Sequence, residues 1–228
     1  MSDRGSDTFL REVEEAVRQE RYKALWDKYG LFVLGLIVLG VVGVAGHTGW
    51  TYWQERQAQE AGSKFTQALL LEDGADQAKA QEMLSSLAET GPQGYRVLSR
   101  FQLAAAEAKA RKTDEAVKAY DALATDANVD QILQGLATLQ AATLRLDSAD
   151  YAEMERRLKG LIDSNSAWRF SARELLGLSA YRLNDMREAE RQFTALLGDP
   201  GTPPNLRERA EMMLALIVGA QPQGAAAN

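Results

Sequence analysis

Cysteine is absent from the chain, and histidine occurs once, at His47. A disulfide framework, a thiolate metal site and a cysteine nucleophile are excluded by the first fact. A histidine zinc site and a Ser-His-Asp triad in the region beyond His47 are excluded by the second. Proline is scarce, at 5 of 228 residues, and aromatic residues make up only 7%. No basic excess is present: the formal charge is −6, and residues 55–228 carry 20 Lys+Arg against 25 Asp+Glu. A mildly acidic surface of mixed sign gives no electrostatic footprint for nucleic acid. Phosphate-binding glycine loops, G-x-S-x-G and metal-ligand clusters are also missing, so no cofactor is expected. Neighbouring acids such as Glu153/Glu155 and Glu188/Glu190 read as solvated helix faces, and the chain is read as a non-enzyme. What remains is rich in Ala, Leu, Glu, Arg and Gln, with few β-branched residues outside one apolar run. Those are helix-forming preferences and predict an all-α fold.

From Tyr29 to Gln54 there is no charged side chain, and the centre reads Leu31-Phe32-Val33-Leu34-Gly35-Leu36-Ile37-Val38-Leu39-Gly40-Val41-Val42-Gly43-Val44. About 20 apolar residues cross the hydrocarbon of a bilayer as a helix, so residues 30–53 are assigned as a transmembrane helix. Trp26 and Tyr29 bracket it on one side, Trp50, Tyr52 and Trp53 on the other, as in the interfacial belts of spanning helices. Arg18, Arg21, Lys23 and Lys28 precede the run, whereas only Arg56 and Lys64 follow closely. That bias places the N-terminus in the cytoplasm and the rest of the chain outside. The long preceding tail favours an uncleaved anchor over a signal peptide, despite the weak Val44-Ala45-Gly46 match. His47 lies near the outer interface, where it reaches water. Ala45-x-x-x-Gly49 is the only small-x-x-x-small pair and a weak hint of helix contact.

Residues 1–29 form a cytoplasmic amphipathic segment. Phe9, Val13, Ala16, Val17 and Leu25 recur near helical spacing from Thr8 to Lys28, with Ser6 or Asp7 as the cap. The segment serves either as an amphipathic helix on the inner leaflet or on a cytosolic partner, or as a helical extension of the span that carries the topology charges.

Residues 54–219 repeat. A helix-turn-helix repeat needs a small residue in its first helix, and twelve residues later a small residue in its second. Large apolar residues follow four and seven positions after that. Four units satisfy this register: Ala68, Ala80, Leu84, Leu87; Ala104, Ala116, Tyr120, Leu123; Ala142, Met154, Leu158, Leu161; and Gly177, Ala189, Phe193, Leu196. The steps between second-helix positions are 36, 38 and 35 residues, near the tetratricopeptide period of about 34. Met154 departs from the small residue, and only Pro92 stands at the expected terminal proline. The expectation is a degenerate tetratricopeptide-like helical solenoid, capped by a helix from Asn205 to about Gly219 and followed by a disordered tail over 220–228. Tyr95 and Arg96, with Trp168 and Arg173, are candidate partner contacts; for Trp168 the reading as inter-repeat core is preferred.

The order of a charged N-terminal helix, Trp26-x-x-Tyr29-Gly30, one span, Trp50-x-x-Trp53 and degenerate repeats resembles the YfgM family. These are ancillary subunits of the Sec translocon with a tetratricopeptide-like periplasmic domain. The resemblance implies a bacterial inner-membrane protein with a periplasmic C-terminal domain. Its partners would be the SecYEG channel and a membrane-anchored periplasmic chaperone of the PpiD type. The same architecture also serves as a scaffold in another envelope assembly, such as secretion, division or outer-membrane biogenesis. Oligomeric state is open at this point.

Overall fold

A computed structural model describes residues 4–72, 74 and 76–220. Among them the order is α1 (Arg4–Glu72), α2 (Gln77–Thr90), α3 (Gln93–Lys109), α4 (Thr113–Ala124), α5 (Gln131–Arg145), α6 (Tyr151–Asp163), α7 (Arg169–Arg182), α8 (Met186–Gly198) and α9 (Pro204–Ala220). The described residues are helical with no strand. Two compact units are present, residues 1–59 and residues 60–228.

The first unit lies on α1. Its helix begins at Arg4, so the caps expected at Ser6 or Asp7 fall inside it. An apolar stretch of α1 is long enough to cross a membrane, and only 6% of its most apolar window is buried. That exposure distinguishes it from the core helix of a soluble protein. Leu31 is 87% exposed and Phe32 71%. The hydroxyls of Thr48 and Thr51 donate back to the carbonyls of Val44 and Thr48, at 2.8 and 3.0 Å, which satisfies them within the helix. The faces of the helix before Lys23 lie outside the described side chains, and residues 221–228 of the expected tail lie outside the described residues. Ala220 closes α9 and is helical.

The second unit is built from helix pairs. Residues 60–72 of α1 supply the first helix of the first pair, followed by α2; α3/α4, α5/α6 and α7/α8 are the others. Of the sixteen register residues named above, fifteen are buried and Leu161 is half-buried. The reason is geometric. Helix axes come within 8–10 Å only where one side presents a small residue and the other fills the gap. Gly177 shows this most clearly, since a Cβ there would stand 2.8 Å from the Phe193 ring. From α2 to α9 consecutive helices pack on each other, and first helices also contact along the stack, α5 with α7 and α7 with α9. First helices therefore form one layer and second helices the other. α9 takes the place of a fifth first helix.

The repeat register recurs in the turns. Arg111 and Asn184 each lie seven residues after the small residue of their helix, at Ala104 and Gly177, and both adopt left-handed backbone, with φ of 62° and 63°. Each turn is closed by a backbone bond reaching five residues back, Lys112 N–H to Glu107 and Asp185 N–H to Ala180. The third pair differs. Met154 stands where the others have alanine, and it is fully buried. Among the consecutive pairs from α2 to α9, α5 and α6 approach each other least. A methionine, not an alanine, stands at the close-approach position of that pair. The guanidinium of Arg182, from the next pair, donates to the carbonyls of Asp147 and Ala149 and holds the irregular α5–α6 turn.

Polar links between neighbouring repeats carry the same period. Gln93 donates to the Asn128 carbonyl, Arg157 pairs with Asp121, Tyr151 donates to Glu188, and Arg209 pairs with Glu174; the partners are separated by 35, 36, 37 and 35 residues. The Glu188 carboxylate is the most heavily used of these groups. It accepts from the Tyr151 hydroxyl at 2.5 Å, Gln192 Nε2 at 2.7 Å and Arg191 Nη2 at 2.6 Å. Burial alone raises a carboxyl pKa, but the bonds from Arg191, Tyr151 and Gln192 outweigh it and bring Glu188 down to about 2. Burial, with the neighbouring Glu188 carboxylate, pushes the Tyr151 phenol up to about 12.

Two predictions follow from this packing. Gly177→Ala destabilises the repeat unit by about 1–3 kcal/mol through overpacking against Phe193. Gly160→Ala in α6, where a Cβ meets nothing within 4 Å, stabilises it by roughly 0.5–1 kcal/mol. Chemical denaturation of the two variants distinguishes these signs. Because the folded pKa of Glu188 is lowered from 4.5 to about 2, its contribution is present above pH 4.5 and is lost as pH falls toward 2. Unfolding midpoints of Glu188→Gln therefore fall less than those of the parent between pH 5 and pH 2.5.

Candidate protein-interaction surface

The four candidate contact residues separate into two kinds of environment. Tyr95 and Trp168 occupy the same register position, nine residues before Ala104 and Gly177. Each ring rests on a glycine of the preceding first helix, 33 residues earlier: Tyr95 on Gly62 and Trp168 on Gly135. A Cβ at Gly62 would stand 2.5 Å from the Tyr95 hydroxyl oxygen, and one at Gly135 the same distance from Trp168 Cδ1. Tyr95 also packs on Phe65, with ring centroids 6.0 Å apart. Trp168 Nε1 donates to the Ile132 carbonyl at 2.8 Å. Both aromatics join one repeat to the next. Their glycine seats were missed in the sequence, although the shared spacing of 33 residues could have disclosed them.

Arg96 is exposed on α3. Arg173 is half-buried and lies in a cleft of about 300 Å³ between α6 and α8, over α7. Ile162, Leu176 and Ala195 supply its apolar lining, Lys159, Arg173 and Arg191 its positive charges, the last of them paired with Glu188 at 2.6 Å, and Glu155 and Asp163 its negative ones. Gln192, held by Glu188, closes one end. Sequence reading singled out Arg173 alone, because the other residues come from helices whose faces meet only once the repeat is folded. Mixed charge around an apolar floor is suited to a polypeptide segment, which presents both amide dipoles and side chains.

A second cleft, of about 230 Å³, lies between α2 and α3. Its charges are already paired: Glu72 accepts from Gln102 at 2.9 Å and from Lys109 at 3.1 Å, and Lys112 stands 3.1 Å from Glu107. Less charge is left there to orient a ligand. Among the described residues no group of three His, Cys, Asp or Glu side chains could hold a metal ion.

The aromatic residues flanking the apolar stretch are exposed on α1. Trp26 covers Gly30, and Lys28 Nζ lies 5.4 Å from the centroid of the Tyr29 ring. Trp50 and Trp53 have centroids 5.3 Å apart, and Arg56 Nε donates to the Tyr52 hydroxyl at 3.1 Å. Tyr29 and Trp50 are 21 residues apart, roughly 32 Å along a helix, which matches the hydrocarbon thickness.

Comparison with known families agrees with the helical geometry. A family model described as a tetratricopeptide repeat-like domain matches residues 23–216. No curated protein and no solved structure matches the chain. The family match takes in the apolar stretch as well as the repeats, and the chain belongs to the tetratricopeptide repeat-like domain family.

Proposed function

We propose that the chain is a membrane-anchored protein-interaction module, an accessory protein of the Sec translocon that links the channel to a periplasmic chaperone. The observation that carries the interaction reading is the α6–α8 cleft, with its apolar floor and charges of both signs on a repeat-built body. Repeat arrays present such surfaces to other polypeptides and perform no chemistry of their own. The exposed apolar stretch of α1 supports an anchor. The excess of basic residues before it supports a cytoplasmic N-terminus and a repeat unit outside the inner membrane. The choice of SecYEG and of a PpiD-like chaperone rests on the resemblance to the YfgM family.

Photo-reactive residues placed at Val42 and Lys159 in the full chain, in living cells, test this reading. Both side chains are exposed, so substitution leaves the fold intact. The expected adducts are channel subunits from Val42 and a membrane-anchored chaperone from Lys159. Adducts confined to division or outer-membrane assembly proteins would replace the translocon with a different envelope scaffold. The double charge reversal Lys159→Glu, Arg173→Glu is expected to weaken chaperone capture about tenfold, the factor for 1.4 kcal/mol. Undiminished capture would remove the cleft from the account.

A further inference from the structure

The α6–α8 cleft differs from the gap one repeat earlier. Between α4 and α6 a tie crosses from one second helix to the next: Arg157 Nη1 stands 2.7 Å from Asp121 Oδ1. Asp121 lies five residues after Ala116, and Arg157 three after Met154. One repeat on, those register positions are Lys159 and Gln192. The acid has become a base, and the arginine has become an amide that donates to Glu188 at 2.7 Å. The charges around the cleft are correspondingly free. Among the described residues none of Glu155, Lys159, Asp163 and Arg173 makes an ion pair, whereas Arg191 is taken by Glu188. Glu155, Lys159 and Asp163 are exposed at four-residue spacing along α6, in the order acid, base, acid, a spacing that puts all three on one face. Arg173 adds a second base from α7.

We propose that the occupant of this cleft is an amphipathic α-helix of the partner protein, carrying a base, an acid and a base at four-residue spacing beside a stripe of apolar residues. The inference rests on the reading of the cleft as the docking place, and it names the chemistry of what docks there. Charge sets the order. The occupant's acid takes at Lys159 the part that Arg157 takes at Asp121, with the signs reversed, and Arg173 adds positive charge to the same cleft. Its two bases meet Glu155 and Asp163. Four residues of helix advance about 6 Å, so a second helix laid along α6 keeps step with all three charges. The backbone decides against an extended segment. Such a segment needs partners for its N–H and C=O groups. Over Ile162, Leu176 and Ala195 the cleft offers one side-chain amide, Gln192, and Glu188 already engages it. A helix satisfies its own backbone and presents only side chains, and its apolar stripe covers Ile162 and the floor beneath it.

Three labelled synthetic peptides of about 20 residues, long enough to hold a helix in water, test this against the full chain in lipid nanodiscs, with fluorescence anisotropy as the readout. The first carries Lys, Glu and Lys at four-residue spacing, with leucines on the adjoining stripe of an alanine-based helix. The second has the signs inverted to Glu, Lys and Glu. The third holds Lys, Glu and Lys at two-residue spacing among valine and threonine, so that the charges share one face only when the peptide is extended. The first is expected to bind at least tenfold more tightly than either of the others. In the variant Glu155→Lys, Lys159→Glu, Asp163→Lys the preference between the first two peptides is expected to exchange. All three positions are exposed, so the variant keeps its fold, which circular dichroism checks. The proposal is overturned by no binding of the first peptide, by equal binding of the second, by a preference that survives the triple reversal, or by tighter binding of the third. Any of these results beside a chaperone adduct from Lys159 in living cells leaves the chaperone reading standing and removes the helix. An exchanged preference without that adduct keeps the helix and removes the chaperone.

Discussion

Close approach between helices is the constraint on which the repeat unit depends. Two helices of ordinary side chains cannot bring their backbones together; one must offer a hydrogen or a methyl group where the other offers bulk. The chain meets this requirement in two ways. Within each pair, alanine or glycine stands opposite a large residue, as Gly177 stands against Phe193. Between pairs, an aromatic ring from one first helix lies on a glycine of the preceding one, at Tyr95 on Gly62 and at Trp168 on Gly135. Where the rule is relaxed, at Met154, the helices part and Arg182 secures the turn from outside. The polar links follow as a consequence, since groups brought into range by one repeat are brought into range by the next.

Surface properties grow out of the same packing. Because small residues and rings are used to join the first helices, the apolar surface left over is confined to specific places. The α6–α8 cleft opens where Ile162 is only partly covered, above the buried Leu176, and long charged side chains stand around them. On α1 the exposed apolar surface is continuous and flanked by aromatic side chains, the arrangement expected of a helix whose solvent is lipid. The exposed apolar stretch and the clefts of the repeats thus lie on separate units of one chain.

Much of the fold was legible in the sequence because the repeat register is a one-dimensional signal. Ala104 and Ala116 announce a helix pair by spacing alone, whereas Asp130, Asp150 and Asp185 show themselves as helix caps, accepting from backbone N–H groups, only once the helix starts are placed. The apolar stretch was legible because its length and lack of charge need no tertiary context. Other features were not. That Ser6 and Asp7 lie inside α1 depends on propagation of a long helix past local capping preferences. The roles of Tyr95 and Trp168 depend on glycines 33 residues away, and a lone aromatic in a sequence does not reveal its seat. The cleft containing Arg173 was visible only in part, because Lys159, Asp163 and Arg191 belong to different helices and have no spacing in common.

The central claim is that an aromatic ring seated on glycine sets the contact between the first and second pairs and again between the third and fourth. A double-mutant cycle on Gly135 and Trp168, read by chemical denaturation of the repeat unit in the full chain, tests it most directly. The account predicts that Gly135→Ala destabilises when Trp168 is present and is neutral or stabilising beside Trp168→Ala, with a coupling of about 1–3 kcal/mol. Additive effects, with Gly135→Ala costing the same in both backgrounds, would show that the ring does not depend on the glycine and would contradict the account.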